Sequence, residues 1–117
     1  MKRDARIHIA DILESIARIE EYTTGIRRED FLLAVQVQDA VLRRLEIIGE
    51  AVKHLPPEIR AAHSEVPWKE IAGLRDVLIH EYFGVKPERI WKVVAQDLPE
   101  LKRLVQLIAQ DLGERAE

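Results

Sequence analysis

The spacing of hydrophobic residues predicts helices along most of the chain. Apolar side chains recur every three or four positions, as in helices that bury one face. A first helix is expected to begin after Asp4, a residue type that caps helix N-termini, and to end near Gly25. A second is expected from about Glu29 to Leu55, where the following pair of prolines stops it.

The centre of the chain predicts one or two short turns and then a third long helix. The short turns are expected within residues 58–64. Pro67 suits the first position of a helix from Trp68 to about Tyr82, and Gly84 is the expected terminator. The stretch VLIHEYFGV could form a strand in isolation, but no other segment offers a partner strand.

The last helical region is expected to open at Pro87 and to continue to about Leu112. Pro99 should kink or break it, because proline lacks an N–H group and its ring collides with the preceding turn. The fold class is therefore all-α: an antiparallel bundle of four long helices with one or two short ones.

The second helix has apolar residues outside its main stripe, at Val37, Ala40 and Ile47. A central helix touched by several neighbours would show this pattern. A surface shared with a second subunit would also show it, and the two interpretations are compatible.

Length, composition and charge exclude several classes of protein. The 117 residues correspond to one domain, 1–117, and 47% hydrophobic with 33% charged residues is typical of a folded chain. The absence of cysteine excludes disulfides, thiolate metal sites and a cysteine nucleophile. No apolar run is long enough to cross a membrane and no signal peptide is present, which predicts a cytoplasmic protein. The net charge of −3 argues against a generally basic, nucleic-acid-coating surface, but not against local phosphate recognition.

The stretch RDVLIHEYFGV, residues 75–85, concentrates polar chemistry on an otherwise apolar helix. Arg75 can grip a phosphate through two parallel donors, and His80 can transfer a proton near neutral pH. Together they could serve RNA cleavage, in which a 2′-hydroxyl attacks the adjacent phosphate. That reaction needs no metal.

Helix geometry complicates this pairing, since His80 lies about 140° around the helix from Arg75. The two share a pocket only if the helix unwinds near His80 or if another subunit completes the site. Asp76 lies only about 40° from His80 and could fix its tautomer through a hydrogen bond. Tyr82 returns to nearly the same face as Arg75.

Other polar residues give weaker signals. The remaining histidines have no second ligand at helical spacing, so no metal site is expected; they are His8, His54 and His63. Glu46 and Glu50 could be an acid/base pair. A polar face paired with Arg43 and Arg44, one turn away, is the simpler interpretation.

Three segments carry a resemblance to a known family: RRLEIIGEAVKHLP at 43–56, VPWKEIAGLRDVLIHEYFGV at 66–85 and IWKVVAQDLPELK at 90–102. With them the sequence resembles the HepT-like group of the HEPN superfamily, over nearly its whole length. The middle segment holds the Arg-x4-His-x-Tyr signature of that group as Arg75, His80 and Tyr82. Asp76 stands where many members have Asn.

The resemblance implies a HEPN-like helical fold and a homodimeric, metal-independent ribonuclease toxin that needs no cofactor and acts on RNA such as tRNA. It implies a composite cleft with Arg75 and His80 from both protomers, which would resolve the geometric difficulty. It also implies a partner, an MntA-like minimal nucleotidyltransferase antitoxin that attaches AMP to Tyr82. AMP there would place bulk and negative charge beside Arg75 and obstruct an RNA phosphate.

A different class of function is also consistent with the sequence. The acidic net charge suits a non-catalytic helical module that holds a nucleotidyltransferase or binds nucleotides. Binding without turnover, retained in His80→Ala, would distinguish this module from a nuclease.

Overall fold

The computed structural model describes residues 4–81 and 84–116, with side chains as far as Gly113. All regular structure in these residues is helical. The helices are α1 (Ala5–Thr23), α2 (Arg28–Leu33), α3 (Val35–His54), α4 (Pro57–Ala62), α5 (Trp68–His80), α6 (Pro87–Lys92) and α7 (Leu98–Ala116). A π-helical turn, Val93–Asp97, joins α6 to α7. The predicted all-α bundle is confirmed.

The bundle is organised around α3, which packs against α1 on one side and α5 on the other. Helix α1 also packs against α7. The core contains most of the predicted stripes: Ile9, Ile12, Ile16 and Ile19 are all buried in α1, and Val41, Leu42, Leu45, Ile48 and Val52 in α3. Val35 was also predicted in the second stripe, but it is exposed. Of the apolar residues outside the main stripe of α3, Val37 packs against the core, and Val37, Ala40 and Ile47 are all half-buried.

The start of α1 follows the sequence prediction. The Oδ1 atom of Asp4 accepts a hydrogen bond from the backbone N–H of Arg6 at 2.8 Å, which satisfies one of the free donors of the first turn. After α1, Gly25 has a positive φ of 75°. A residue without Cβ adopts this backbone conformation without strain.

The prediction of one continuous second helix was wrong, because the chain breaks between α2 and α3. Ala34 has φ −100° and ψ 80°, and its N–H donates to the carbonyl of Phe31 at 3.1 Å. The side chain of Gln38 donates to the same carbonyl at 2.8 Å. The break accompanies a core contact, since Phe31 is fully buried with its ring 5.3 Å from that of Trp91.

The last helical region does not end at Pro99, and its hydrogen-bonding pattern changes just before that residue. The N–H of Leu98 donates to the carbonyl of Val93, five residues back instead of four. The wider turn immediately precedes Pro99, whose ring would otherwise crowd the carbonyl of Ala95. The helix then runs to Ala116, beyond the predicted end at Leu112.

The bundle carries no sign of a membrane span. None of the described helices combines the length and the apolar character that crossing a bilayer requires.

Candidate active site

Helix α5 ends at His80, two residues before the predicted end at Tyr82. Glu81 leaves helical geometry with φ −129° and ψ 35°, although its N–H still donates to the carbonyl of Val77 at 2.8 Å. Gly84 then bonds back to Glu81, also at 2.8 Å. Tyr82, the predicted AMP-acceptor residue, lies outside the described residues.

Arg75 reaches across the surface of α3 at a residue that has no side chain. A Cβ atom added to Gly49 would collide with the Cβ of Arg75 and crowd its Cγ. Helices α3 and α5 therefore approach closely here, and the missing methyl group of Gly49 leaves the channel through which the arginine side chain passes.

The guanidinium of Arg75 lies between two carboxylates. Its Nη2 is 2.8 Å from Oε2 of Glu50, and its Nη1 donates to Oδ1 of Asp76 at 3.1 Å. Lys53 donates to that same Oδ1 at 2.6 Å. About a quarter of the Arg75 side chain remains exposed, so the guanidinium is both fixed and accessible.

These contacts favour the ionised carboxylates. The hydrogen bond from His54 lowers the pKa of Glu50, and the nearby Arg75 adds to the effect. Hydrogen bonds from Lys53 and then from Arg75 lower the pKa of Asp76. Each carboxylate thus stays negative and holds its cation in place.

The structure corrects the predicted role of Asp76. Its carboxylate pairs with Lys53 and Arg75, and it forms no hydrogen bond to His80. The reason is the position of Lys53, which comes from the end of α3 and brings a full positive charge to Asp76. His80 is exposed, and no ion pair or side-chain hydrogen bond joins its imidazole to another described residue.

Beside Arg75 lies an open cleft of about 340 Å³ between α1, α3 and α5. The polar residues on its walls are His8, Asp11, Arg43, Glu46, Glu50, His54 and Arg75. The rings of His8 and His54 stack with centroids 5.7 Å apart, and Nε2 of His54 lies 2.9 Å from Oε1 of Glu50. The walls of the cleft therefore carry two arginines and two histidines together with three carboxylates.

The sequence predicted some of the contacts among the polar residues that line this cleft. Glu46 pairs with Arg43 at 3.5 Å, as the salt-bridge interpretation predicted. Glu50 pairs instead with Arg75 and His54, so its importance was missed. The prediction that His54 has no potential ligand at helical spacing was wrong, because Glu50 lies four residues before it on α3, and this spacing was the available signal. No group of three or more potential metal ligands occurs among the residues that the structure places.

A single chain does not bring Arg75 and His80 together. Both belong to one regular helix, so they point to faces about 140° apart. Arg75 lines the cleft, whereas His80 does not. The helix end at Glu81 comes one residue too late to redirect His80.

Comparison with known proteins gives a family. Residues 12–108 match the family described as Ribonuclease HepT-like. The chain is 50% identical over 102 residues to "Probable ribonuclease HepT" of Thermococcus cleftensis, covering 87% of this chain and 93% of that protein. It is 50% identical over 105 residues to a "Putative RNase" of Caldanaerobacter subterraneus subsp. tengcongensis, covering 90% and 94%.

A third relative is longer. The "Gamma-glutamylcyclotransferase and putative RNase" of Methanocaldococcus jannaschii is 48% identical over 112 residues, which cover 96% of this chain. The chain spans about half of that protein, 50% of its length. No solved structure gives a significant match.

Proposed function

The chain belongs to the HepT-like ribonuclease family, and we propose that it cuts RNA by proton transfer and charge stabilisation in a cleft built by two copies of the chain. The observation that carries this proposal is the arrangement of α5. Its arginine is anchored in a cleft, its histidine is exposed on another face, and neither can complete the site within one chain.

Arg75 is suited to binding the scissile phosphate. Glu50 and Asp76 hold its guanidinium from two sides while part of it stays accessible. An oriented guanidinium loses little freedom when it binds and can stabilise the negative charge that builds on the phosphoryl oxygens. Two copies of Arg75 in one cleft would concentrate positive charge on a chain that is acidic overall.

His80 is suited to moving protons, since its imidazole is exposed and is not tied to another described residue. One imidazole takes the proton from the 2′-hydroxyl as that oxygen forms a bond to the adjacent phosphorus. The bond from phosphorus to the 5′-oxygen breaks, and the imidazole of the second copy protonates the leaving oxygen. The products are a 2′,3′-cyclic phosphate and a 5′-hydroxyl, so atoms and charges balance without a metal.

The proposal extends to regulation by a partner. A minimal nucleotidyltransferase of the MntA type would act as the antitoxin. The hydroxyl of Tyr82 would attack the α-phosphorus of ATP, form a phosphodiester with AMP and release pyrophosphate. Tyr82 follows His80 by two residues, so AMP there would add negative charge and bulk close to the RNA path. Transfer RNA is the proposed target.

Cleavage of total cellular RNA and of tRNA, with EDTA present, tests the nuclease. Wild type should produce fragments with cyclic-phosphate ends, whereas Arg75→Ala and His80→Ala should not. His63→Ala is the matched control, because His63 lies near Glu65 and Asp111 at 3.7 Å, away from the cleft. Unchanged cleavage by both site variants would show that the assigned residues are wrong. Binding of RNA or nucleotide without turnover would instead support the non-catalytic module.

Intact-mass measurement after incubation with the partner enzyme and ATP tests the modification. A gain of the mass of AMP is expected in wild type and in Tyr22→Phe, but not in Tyr82→Phe. Tyr22 and Tyr82 are the chain's two tyrosines, so the pair is a complete control. A gain that persists in Tyr82→Phe would place the AMP elsewhere.

A further inference from the structure

A second groove, of about 650 Å³, lies between the end of α3, α4 and α5. The cations on its walls are Lys53, Arg60 and Lys69, and its one carboxylate is Asp76. Three positive charges against one negative charge are notable in a chain whose net charge is −3. The groove is therefore a local positive region on an acidic protein.

The cations of this groove differ in whether they already pair with a carboxylate of the protein. Lys53 is bonded to Asp76 at 2.6 Å. Lys69 is exposed, and neither it nor Arg60 forms an ion pair with another described residue. The Nε atom of Arg60 is buried yet has no hydrogen-bond partner among the described residues. A donor left in this state is costly unless a ligand or water accepts from it.

The groove shares a face of α5 with His80. Lys69, Gly73, Asp76 and His80 fall within an arc of about 60° on this helix. Lys69 and His80 differ by about 20° around the axis and by about 16 Å along it. An extended anionic chain that follows the groove from Lys69 would thus pass Asp76 and reach His80.

The groove is also connected to the cleft that holds Arg75. Asp76 bonds Lys53 on the groove side and Arg75 on the cleft side. Gly73 leaves the middle of the groove open, since an added Cβ there would meet nothing within 4 Å. Asp76 therefore lies between the groove and the cleft, and no side chain at position 73 fills the middle of the groove.

We propose that Lys53, Arg60 and Lys69 form a subsite for the phosphates of single-stranded RNA, which leads the strand along α5 to His80. This inference rests on the proposed nuclease function. It adds where the part of the RNA away from the cleaved bond is bound. Proteins that bind single strands follow the backbone with a positive groove, and each phosphate contact contributes to the salt dependence of binding.

The test compares two charge reversals on exposed lysines, Lys69→Glu in the groove and Lys92→Glu on α6. Neither lysine forms an ion pair with a described residue, and a glutamate near the N-terminus of α5 does not oppose the helix dipole. The probe is a fluorescent 2′-O-methyl RNA oligonucleotide, which lacks the attacking hydroxyl, so the intact protein can bind it without cleaving it. Anisotropy gives its affinity at several salt concentrations.

Lys69→Glu should weaken binding and raise the KM for a cleavable RNA, while Lys92→Glu should match wild type. Loss of one single-strand phosphate contact should also reduce the slope of log affinity against log salt by about 0.7. The triple variant Lys53→Gln, Arg60→Gln, Lys69→Gln should reduce it by about 2.

Two results would overturn the subsite. If wild type cleaves RNA and Lys69→Glu binds as Lys92→Glu does, with an unchanged salt slope, the groove is not the RNA path and the nuclease proposal stands. If wild type neither binds the oligonucleotide nor cleaves RNA, both proposals fall.

Discussion

At the scale of single residues, the position of Arg75 depends on a neighbour that has no side chain. Gly49 leaves room for the arginine, Glu50 anchors its guanidinium, and Asp76 holds it from the other side. Two of these neighbours come from α3 and act across the interface with α5. The position of this guanidinium is thus set by the packing of two helices as well as by the place of Arg75 in the sequence.

Gly49→Ala should destabilise the protein by about 1–3 kcal/mol, because the new methyl group collides with the Cβ of Arg75. RNA cleavage should fall as well, since the arginine or the helix must shift. Urea denaturation and an RNA cleavage assay measure the two effects.

Gly73→Ala is the matched control for that prediction. An added Cβ at Gly73 meets nothing within 4 Å, so alanine should stabilise α5 by up to about 1 kcal/mol through its better helix propensity. Equal stability changes in the two variants would contradict the steric account.

Glu50→Gln should lower stability in a pH-dependent way. The pKa of Glu50 is lowered in the folded protein, so its ionised form stabilises the fold above its ordinary value of 4.5. That contribution is lost as the pH falls through the lowered value. The difference in unfolding free energy between wild type and Glu50→Gln should therefore be largest near neutral pH and shrink in acid.

Urea denaturation across this pH range measures the difference. Glu46→Gln is the control, because Glu46 pairs with the exposed Arg43 at a longer distance, 3.5 Å, and its loss should matter less. A constant difference down to strongly acidic pH would show that Glu50 acts through packing and not through charge.

The sequence proposed two site residues but did not identify their neighbours. Arg75 and His80 were proposed from their chemistry and from the family signature. The roles of Gly49, Glu50 and Lys53 depend on α3 lying against α5, which helical spacing alone does not establish. Asp76 was assigned to His80 because the two share a helix face, and a lysine from another helix bonds it instead.

At the scale of elements, apolar spacing predicted where helices occur but not where their geometry changes. The stripe of hydrophobic residues continues through Leu32 and Val35, so nothing in the spacing marks the break at Ala34. Pro99 did signal a disturbance. A π turn precedes Pro99, and Ile90 before the turn and Leu101 after it are both buried in the core.

The short helix α2 provides a matched pair of substitutions. Phe31→Ala should cost about 3–5 kcal/mol, because Phe31 is fully buried against Trp91 and holds α2 on α6. Leu33→Ala on the same helix should change stability by no more than about 0.5 kcal/mol, because Leu33 is 85% exposed. Thermal unfolding of both variants tests whether the break serves this contact. Similar losses in the two would show that it does not.

At the scale of the whole molecule, the family and the bundle are clear from the sequence, whereas assembly is a proposal that the geometry of α5 motivates. Arg75 and His80 face different directions on one regular helix. A second copy is the simplest source of the missing partner.

Mixing wild type with His80→Ala tests this assembly. The proposed reaction uses the imidazoles of both copies, so a mixed dimer has only one of the two and should be inactive. After the two proteins are unfolded together and refolded, with light scattering to verify the dimer, cleavage should fall with the square of the wild-type fraction. If cleavage instead falls in direct proportion to that fraction although mixed dimers form, or if wild type is monomeric at micromolar concentration, the composite cleft is wrong.

The close contact between Gly49 and Arg75 also limits how this chain can evolve. Alanine is the better helix former at most positions, so selection for stability alone would favour it within α3. At position 49 alanine does not fit, because the space is already filled by the arginine on the neighbouring helix. A larger residue at 49 would call for a smaller one at 75, and that exchange would give up the proposed catalytic group. Selection on RNA cleavage would in this way preserve a glycine that has no side chain with which to take part in the reaction.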